Sequence, residues 1–232
     1  MLNLKNIAVI GSSGGIGKAF VEVLYQKYPR ANLYAFSRKG PYEIDYSKED
    51  SIAESANIAS KTGPFDLVIV TNGILHNQDI MPEKSIKELS REKFQTIFEV
   101  NTIAPALIAK YFLPHLNRDK TSVFAVLSAR VGSISDNELG GWYAYRASKA
   151  ALNMIIKNAA IEIGRRNKNA IAVGLHPGTV DTNLSRPFHK NIPKEQLFTP
   201  HQSVEKLLQV IVSLTPDKSG KCFAWDGKEI FP

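Results

Sequence analysis

The most constraining stretch of the chain lies within its first thirty residues. Lys5 to Ile10 is a short, mostly apolar run that closes on Gly11. It leads into Gly11-Ser12-Ser13-Gly14-Gly15-Ile16-Gly17, and Ala19 to Tyr28 then reads as a helix. Four glycines in seven residues between an apolar strand and a helix point to a parallel β-α unit with a crowded turn. Gly11 permits the tight turn, Gly15 lets a pyrophosphate approach the backbone, and Gly17 lets helix and strand pack closely. The helix start adds free N–H groups and the positive end of its dipole. Gly11, Ser13, Gly15, Ile16 and Gly17 are therefore the candidate phosphate-binding turn.

The same alternation continues along the chain. Asn32–Phe36, Tyr42–Ile44, Asp66–Val70, Ser122–Leu127 and Ala170–Leu175 read as strands, and Glu92–Phe112 and Tyr145–Ile163 as helices. Continuously apolar strands are buried on both faces, and strands alternating with helices form a parallel sheet. The expected fold is a single-domain doubly wound (Rossmann-like) α/β sandwich over residues 1–232, with a seven-stranded, mostly parallel sheet. No linker, repeat or low-complexity segment divides it. Ligands of such sheets sit beyond the carboxyl ends of the strands, so the residues just after each strand are the informative ones. Residues 184–200 form a candidate lid over that edge, since Arg186–Pro200 is polar, proline-rich and without periodicity.

With 44% apolar and 22% charged residues, the composition is that of a globular chain and excludes disorder. No apolar run reaches bilayer length, so no membrane partner is expected. The start of the chain leaves no room for a signal peptide, and one cysteine, Cys222, fits a reducing compartment; the expected location is the cytoplasm. The net charge of +7 raises the question of nucleic acid, but the basic residues are scattered and no nucleic-acid partner is expected. A cleft for an anionic small ligand accommodates the charge better.

The end of the second strand narrows the ligand. A unit that binds NAD places an acidic residue there for the ribose 2′-hydroxyl; this chain reads Phe36-Ser37-Arg38-Lys39. Arg38 can clamp a 2′-phosphate and Ser37 can donate to it, which favours NADP(H) over NAD(H).

Tyr145 and Lys149 stand four residues apart on a helix and so share a face. A free phenol, with a pKa of ~10, exchanges protons poorly at neutral pH. A neighbouring ammonium favours the phenolate and makes a usable acid–base group.

Taken together, the Gly11-x-x-x-Gly15-x-Gly17 turn, Asn101 within Val100-Asn101-Thr102, Tyr145-x-x-x-Lys149 and Pro177-Gly178-x-x-x-Thr182 resemble the short-chain dehydrogenase/reductase family over essentially the whole chain. Gly140 to Met154 and Ala224 to Pro232 are similar to the C-factor-type carbonyl reductases within it. The resemblance implies a cofactor-dependent interconversion of a carbonyl and an alcohol on a small molecule, and Trp142, Tyr143, Leu184 and Phe188 point to an apolar pocket for it. It implies that Tyr145 protonates the carbonyl oxygen. Lys149 would hold the nicotinamide ribose and lower the Tyr145 pKa, and Asn101 would hold a water linking Lys149 to solvent. Pro177, Gly178, Val180 and Thr182 would bind the nicotinamide amide and diphosphate, Asp45 the adenine, and Asn72 and Gly73 would border the cofactor. Helices of this kind pair between subunits in the family, which implies a homodimer or homotetramer.

Three positions depart from the family pattern. Ala129 stands three residues before Gly132, where the family has a serine; Ser128 and Ser133 flank the position, and Ser128 is the candidate for the role. Thr71 replaces a structural asparagine, and Ile10 replaces a small residue. The five histidines and Cys222 show no metal-ligand spacing, so no metal is expected. His176 reads as a loop or packing residue, and Tyr143 as packing or a substrate contact. A cofactor-binding redox sensor or signalling protein with little turnover is the second reading.

Overall fold

The computed structural model describes residues 4–191, 193 and 196–232. Five strands alternate with helices in the order β1 (Asn6–Ile10), α1 (Gly15–Lys27), β2 (Asn32–Ser37), β3 (Tyr42–Glu43), α2 (Glu49–Ser60), β4 (Leu67–Val70), α3 (Arg91–Phe98), α4 (Ala104–Phe112), β5 (Ser122–Leu127) and α5 (Tyr143–Arg166). They are followed by β6 (Ala170–His176), β7 (Thr179–Val180), β8 (Leu197–Phe198), α6 (Pro200–Ser213), β9 (Cys222–Ala224) and β10 (Glu229–Ile230).

Eight strands make the main sheet, in the order β10-β9-β6-β5-β4-β1-β2-β3. All pairings are parallel except β10 on β9. The sheet thus has one strand more than expected. After Cys222–Ala224 the chain reverses through Gly227, whose φ of 81° suits only glycine well, and Glu229–Ile230 returns antiparallel. Every residue of β1, β4 and β5 is buried, as continuous apolar strands demand. Alternate residues feed two cores. Ala8, Ile10, Phe36, Phe112 and Phe124 pack under α2, α4 and α5. Ile7, Val9, Phe20, Leu24 and Leu207 pack under α1 and α6.

Strand order turns back on itself between β1 and β4, so the connections leaving their carboxyl ends diverge to opposite faces and leave a crevice. The opposite edge is pinned instead. Buried Asp66 accepts hydrogen bonds from the Lys5 and Asn6 amides (2.6 and 3.2 Å) and from Asn117 Nδ2 (2.9 Å), and pairs with Lys120 (2.9 Å).

The expected helix over Glu92–Phe112 is interrupted. Glu99–Ile103 forms a π-helical turn between α3 and α4. The wider turn presents both Asn101 and Thr102 to α5: Asn101 Nδ2 donates to Ser148 Oγ (3.2 Å) and Thr102 Oγ1 to the Ser148 carbonyl (2.9 Å). α5 begins at Tyr143, two residues earlier than expected, because Glu83 caps it. The Glu83 carbonyl accepts from Trp142 N (2.6 Å) and its carboxylate from Ala144 N (3.3 Å). The candidate lid begins with a 3-10 segment, Arg186–Asn191, and ends in β8, which pairs with β7; residues 192, 194 and 195 of it lie outside the described residues. Among the described residues no helix is long and apolar enough to cross a membrane.

Candidate active site

The glycine turn is tied to its neighbours by backbone bonds. Gly11 N and Ser12 N both donate to the Phe36 carbonyl (3.0 Å each), and Thr71 Oγ1 donates to the carbonyls of Ile10 (2.8 Å) and Gly11 (3.0 Å). Thr71 therefore ties β4 to the turn. A Cβ on Gly17 would lie 2.2 Å from Gly11 O, so only glycine fits where α1 meets the strand. The first turn of α1 has no side-chain cap and no acidic residue, so its N–H groups and positive dipole end are left to face the crevice. Ser13, Gly14 to Gly17, Thr71 and Gly73 line a cavity of about 450 Å³ there, closed on the far side by Asp181 to Leu184. Gly15 also lets a second segment approach: a Cβ on it would meet Thr182 Cγ2 at 2.7 Å. The space over Gly15 admits the Thr182 methyl, which brings the Pro177–Thr182 segment onto the turn.

Arg38 and Lys39 are exposed at the end of β2. The Ser37 hydroxyl, expected to donate to a phosphate, gives its proton to the Lys39 carbonyl (2.6 Å); that bond closes the β2–β3 turn and leaves only an acceptor. Arg38 instead faces Tyr46, whose phenol burial pushes up to about 12 against the opposing pull of Arg38 and of the Gly11 amide. The Asp45 carboxylate is engaged locally. It accepts from Ser47 Oγ (2.7 Å) and Ser47 N (3.0 Å) and pairs with Lys48 (3.4 Å), and the Ser47 bonds hold its pKa below the ordinary carboxylate value.

At the end of β4, Asn72 Nδ2 donates to the Val100 carbonyl (2.7 Å), while its Oδ1 is buried without a protein partner. Fully buried Asn101 accepts from Ile74 N and donates to Ile74 O, both at 2.8 Å. Its side chain is thus a clamp on the β4 loop. A Cβ on Gly73 would lie 3.6 Å from Asn101 Oδ1 and 3.8 Å from Lys149 Nζ, so the structure brings Gly73, Asn101 and Lys149 together.

Lys149 is 3% exposed. Its Nζ donates to the Leu127 carbonyl (2.9 Å) and stands 5.9 Å from the centre of the Tyr145 ring. Burial lowers its pKa to about 8, with Cys222 pulling the other way. Burial likewise pushes Tyr145 up to about 12. The expected depression of the Tyr145 pKa by Lys149 is absent: the ammonium is directed to Leu127 O, and burial sets the direction of the Tyr145 shift. At neutral pH Tyr145 holds its proton.

Tyr145 faces a second cavity, of about 370 Å³, walled by Leu75, Val131, Trp142, Leu184 and Phe188 among others. The Trp142 ring lies 4.9 Å from Phe188 and 6.2 Å from Tyr145. This cavity shares Ile16, Thr182 and Leu184 with the one over the glycine turn. Ser128 and Ala129 also line it. The Ser128 hydroxyl, however, donates to Asn153 Oδ1 (2.7 Å). Ser133 is turned away and accepts from Asp136 N (3.1 Å). Tyr143 is half-buried at the first position of α5, next to Trp142.

Pro177, Gly178, Val180 and Thr182 line the Tyr145 cavity, and Thr182 also borders the one over the glycine turn. Ser203 Oγ donates to the Pro177 carbonyl (2.8 Å), and Gly178, at φ 76°, lies under Phe198 and Trp225, whose rings leave no room for a Cβ. His176 lines the second cavity as well. Its sequence context gave it a packing role, and no local signal distinguishes the two, because the wall it joins is assembled from β5, β6, α5 and the lid.

These residues fit a dinucleotide. The uncapped α1 terminus suits phosphates, the orphaned Asn72 Oδ1 and the Gly73–Lys149 approach suit a ribose and ring amide, and the joined cavities run from there to Tyr145. The model of a family described as enoyl-(acyl carrier protein) reductase matches residues 19–219. The C-signal protein of Myxococcus xanthus is 31% identical over 169 residues, covering 73% of this chain and 93% of that protein. The 1-hydroxy-2-glutathionyl-2-methyl-3-butene dehydrogenase of Rhodococcus sp. (strain AD45) is 27% identical over 234 residues, covering 97% and 98%. Among solved structures, the NADPH-bound carbonyl reductase from chicken fatty liver has the same fold, with a TM-score of 0.85 over 100% of both chains at 24% identity. With the family model matching most of the chain and the C-signal protein 31% identical, the chain belongs to the short-chain dehydrogenase/reductase family.

Proposed function

We propose that the protein is an NADP(H)-dependent oxidoreductase interconverting a small, mainly apolar carbonyl compound and its alcohol. The observation that carries this reading is the pairing on α5: Tyr145 borders a cavity that joins the glycine turn, and buried Lys149 holds its Nζ 5.9 Å from the centre of the Tyr145 ring. Bound NADPH supplies a hydride to the carbonyl carbon, and NADP⁺ takes one up in the reverse direction. Tyr145, protonated at neutral pH, gives its proton to the carbonyl oxygen and recovers one from solvent. Lys149 binds the ribose hydroxyls and, once turned towards Tyr145, stabilises the phenolate left behind. Asn101 holds the Gly73–Ile74 backbone against Lys149 and keeps a path for water. Arg38, exposed and without an ion pair among the described residues, meets the 2′-phosphate; the chicken enzyme carries NADPH, and a Burkholderia multivorans relative of the same fold was solved with NADP.

The test is loss of NADPH absorbance with a panel of aldehydes, ketones and diketones. Turnover is expected in the wild type. Tyr145→Phe should abolish it while leaving NADPH affinity nearly intact, and Lys149→Ala should damage both. A second reading, a cofactor-binding sensor with little turnover, is favoured by one observation: the Ser128 proton is committed to Asn153. Tight NADPH binding with no turnover on any compound of the panel would favour it.

A further inference from the structure

Most polar groups in the wall of the Tyr145 cavity already have protein partners. Ser128 donates to Asn153, and Ser185 bonds to the Val180 carbonyl and His189 Nε2. Arg130 pairs with Asp136 (3.2 Å) at the exposed rim. His176 differs: it lines the cavity, and its Nδ1 is buried with no hydrogen-bond partner among the described residues. Leaving a buried polar atom unpaired costs stability, so packing gives no reason for a histidine here.

Its position has a chemical consequence. Strands β5 and β6 pair with Leu127 opposite Leu175, and Ser128 N donates to the Leu175 carbonyl (2.8 Å). His176 therefore stands one strand spacing, ~4.8 Å, from the Ser128–Ala129 segment. Ala129 presents only a methyl to the cavity where the resemblance places a serine. The groups that face the imidazole electrostatically are Arg130 and Asp226. Burial, then Arg130, lower its pKa to about 4 against Asp226, so the ring is neutral at physiological pH and keeps one N–H donor.

We propose that His176 donates a hydrogen bond to the substrate carbonyl oxygen alongside Tyr145, supplying the polarising contact that Ala129 cannot make. The imidazole keeps its proton throughout; the proton that is transferred comes from Tyr145. This rests on the carbonyl reductase reading, and the experiment separates the two.

Protein with ring-labelled histidine is saturated with NADP⁺ and titrated with acetophenone, the His176 signal being assigned by its absence in His176→Gln. Acetophenone should shift that signal. Quenching of tryptophan fluorescence by acetophenone without any shift of the His176 signal would overturn the proposal. In the kinetic arm, His176→Leu should lower kcat/KM for acetophenone by roughly 10²-fold with NADPH affinity held. Ala129→Ser in that background should restore about tenfold, since a hydroxyl then replaces the lost donor. Wild-type turnover that survives His176→Leu unchanged overturns the proposal and leaves the reductase reading standing. A shifted His176 signal with no turnover of any carbonyl by the wild type does the reverse.

Discussion

An ammonium buried in the protein is held at a cost, and the proton affinity of Lys149 gives its sign. Its folded pKa of about 8 lies below the 10.5 of a free lysine, so between those values the unfolded chain binds more protons. Stability therefore rises with pH in that window, by up to about 3 kcal/mol from this group. Lys149→Met should lack the rise, and urea unfolding at pH 8 and pH 10 compares the two; parallel curves would contradict the burial of the charged form. Tyr145 works in the other direction. Its folded pKa of about 12 exceeds 10.0, so stability falls once pH passes 10. His176, lowered from 6.5 to about 4, binds its proton more weakly than the unfolded chain does. Stability should therefore fall as pH drops from 6.5 to 4, again by up to about 3 kcal/mol, and His176→Gln should flatten that limb. The contact proposed for Arg38 sets an expected cofactor preference. A charge-assisted contact with the 2′-phosphate contributes on the order of 1.5–3 kcal/mol, so the wild type should prefer NADPH over NADH at least tenfold. Arg38→Ala should lose most of that preference, with Arg38→Ala/Lys39→Ala as the control for a shared contact. Equal affinities in the wild type, by fluorescence titration at fixed salt, would remove the argument.

Between elements, the approach of the β5 loop to α5 sets where Lys149 stands. A Cβ on Gly132 would lie 2.8 Å from Lys149 Cβ and 2.9 Å from the Lys149 carbonyl carbon. Backbone cannot yield there as a flexible side chain can. Gly132→Ala should destabilise the protein by about 1–3 kcal/mol and depress kcat, because the loop and Lys149 part. Gly164, in the same helix and with open space around it, is the contrasting site: Gly164→Ala should stabilise by about 0.5–1 kcal/mol and leave kcat unchanged. Thermal unfolding and steady-state kinetics on both variants decide it. The elements that carry this geometry were legible to different degrees. The apolar runs of β1, β4 and β5 announce themselves because burial on both faces erases alternation. The strands β7, β8 and β10 are two residues each, too short for any period. The π-helical turn at Glu99–Ile103 alters helical register without altering composition, so Glu92–Phe112 reads as one helix. Within the site, Tyr145, Lys149 and the glycine turn were visible because their meaning lies in local spacing. The commitments of Ser37 to Lys39, of Ser128 to Asn153, and of the Gly15 space to Thr182 depend on folded geometry. His176 belongs with them, since burial without a partner leaves no mark in sequence.

At the scale of the whole molecule, the sheet buries one side of α4 and α5 and leaves the other to solvent. A groove of about 340 Å³ runs between the two helices, lined on the α4 side by Ala106, Ala109 and Leu113 and on the α5 side by Ile155, Ala159 and Ile163. Small side chains of this kind let helices approach closely, and α5, at 24 residues, is roughly 36 Å long, enough to lie along a partner over its full length. The rim carries both signs of charge, Lys110, Arg118 and Arg166 against Glu162, and a two-fold axis would place the rim of one copy against the opposite charges of the other. Pairing these helices between copies can reach the ~1,200–2,000 Å² that a stable interface buries. The wild type should therefore scatter light as a dimer or tetramer at micromolar concentration. Asn158 is exposed and lines the groove, so Asn158→Arg leaves the monomer core untouched while adding a like charge beside Arg166 and across the axis. That variant should dissociate towards monomer with its helical circular dichroism unchanged, and more completely at low salt, where repulsion is screened least. A monomeric wild type would refute the assembly, and an Asn158→Arg protein that stays assembled would place the contact on another face.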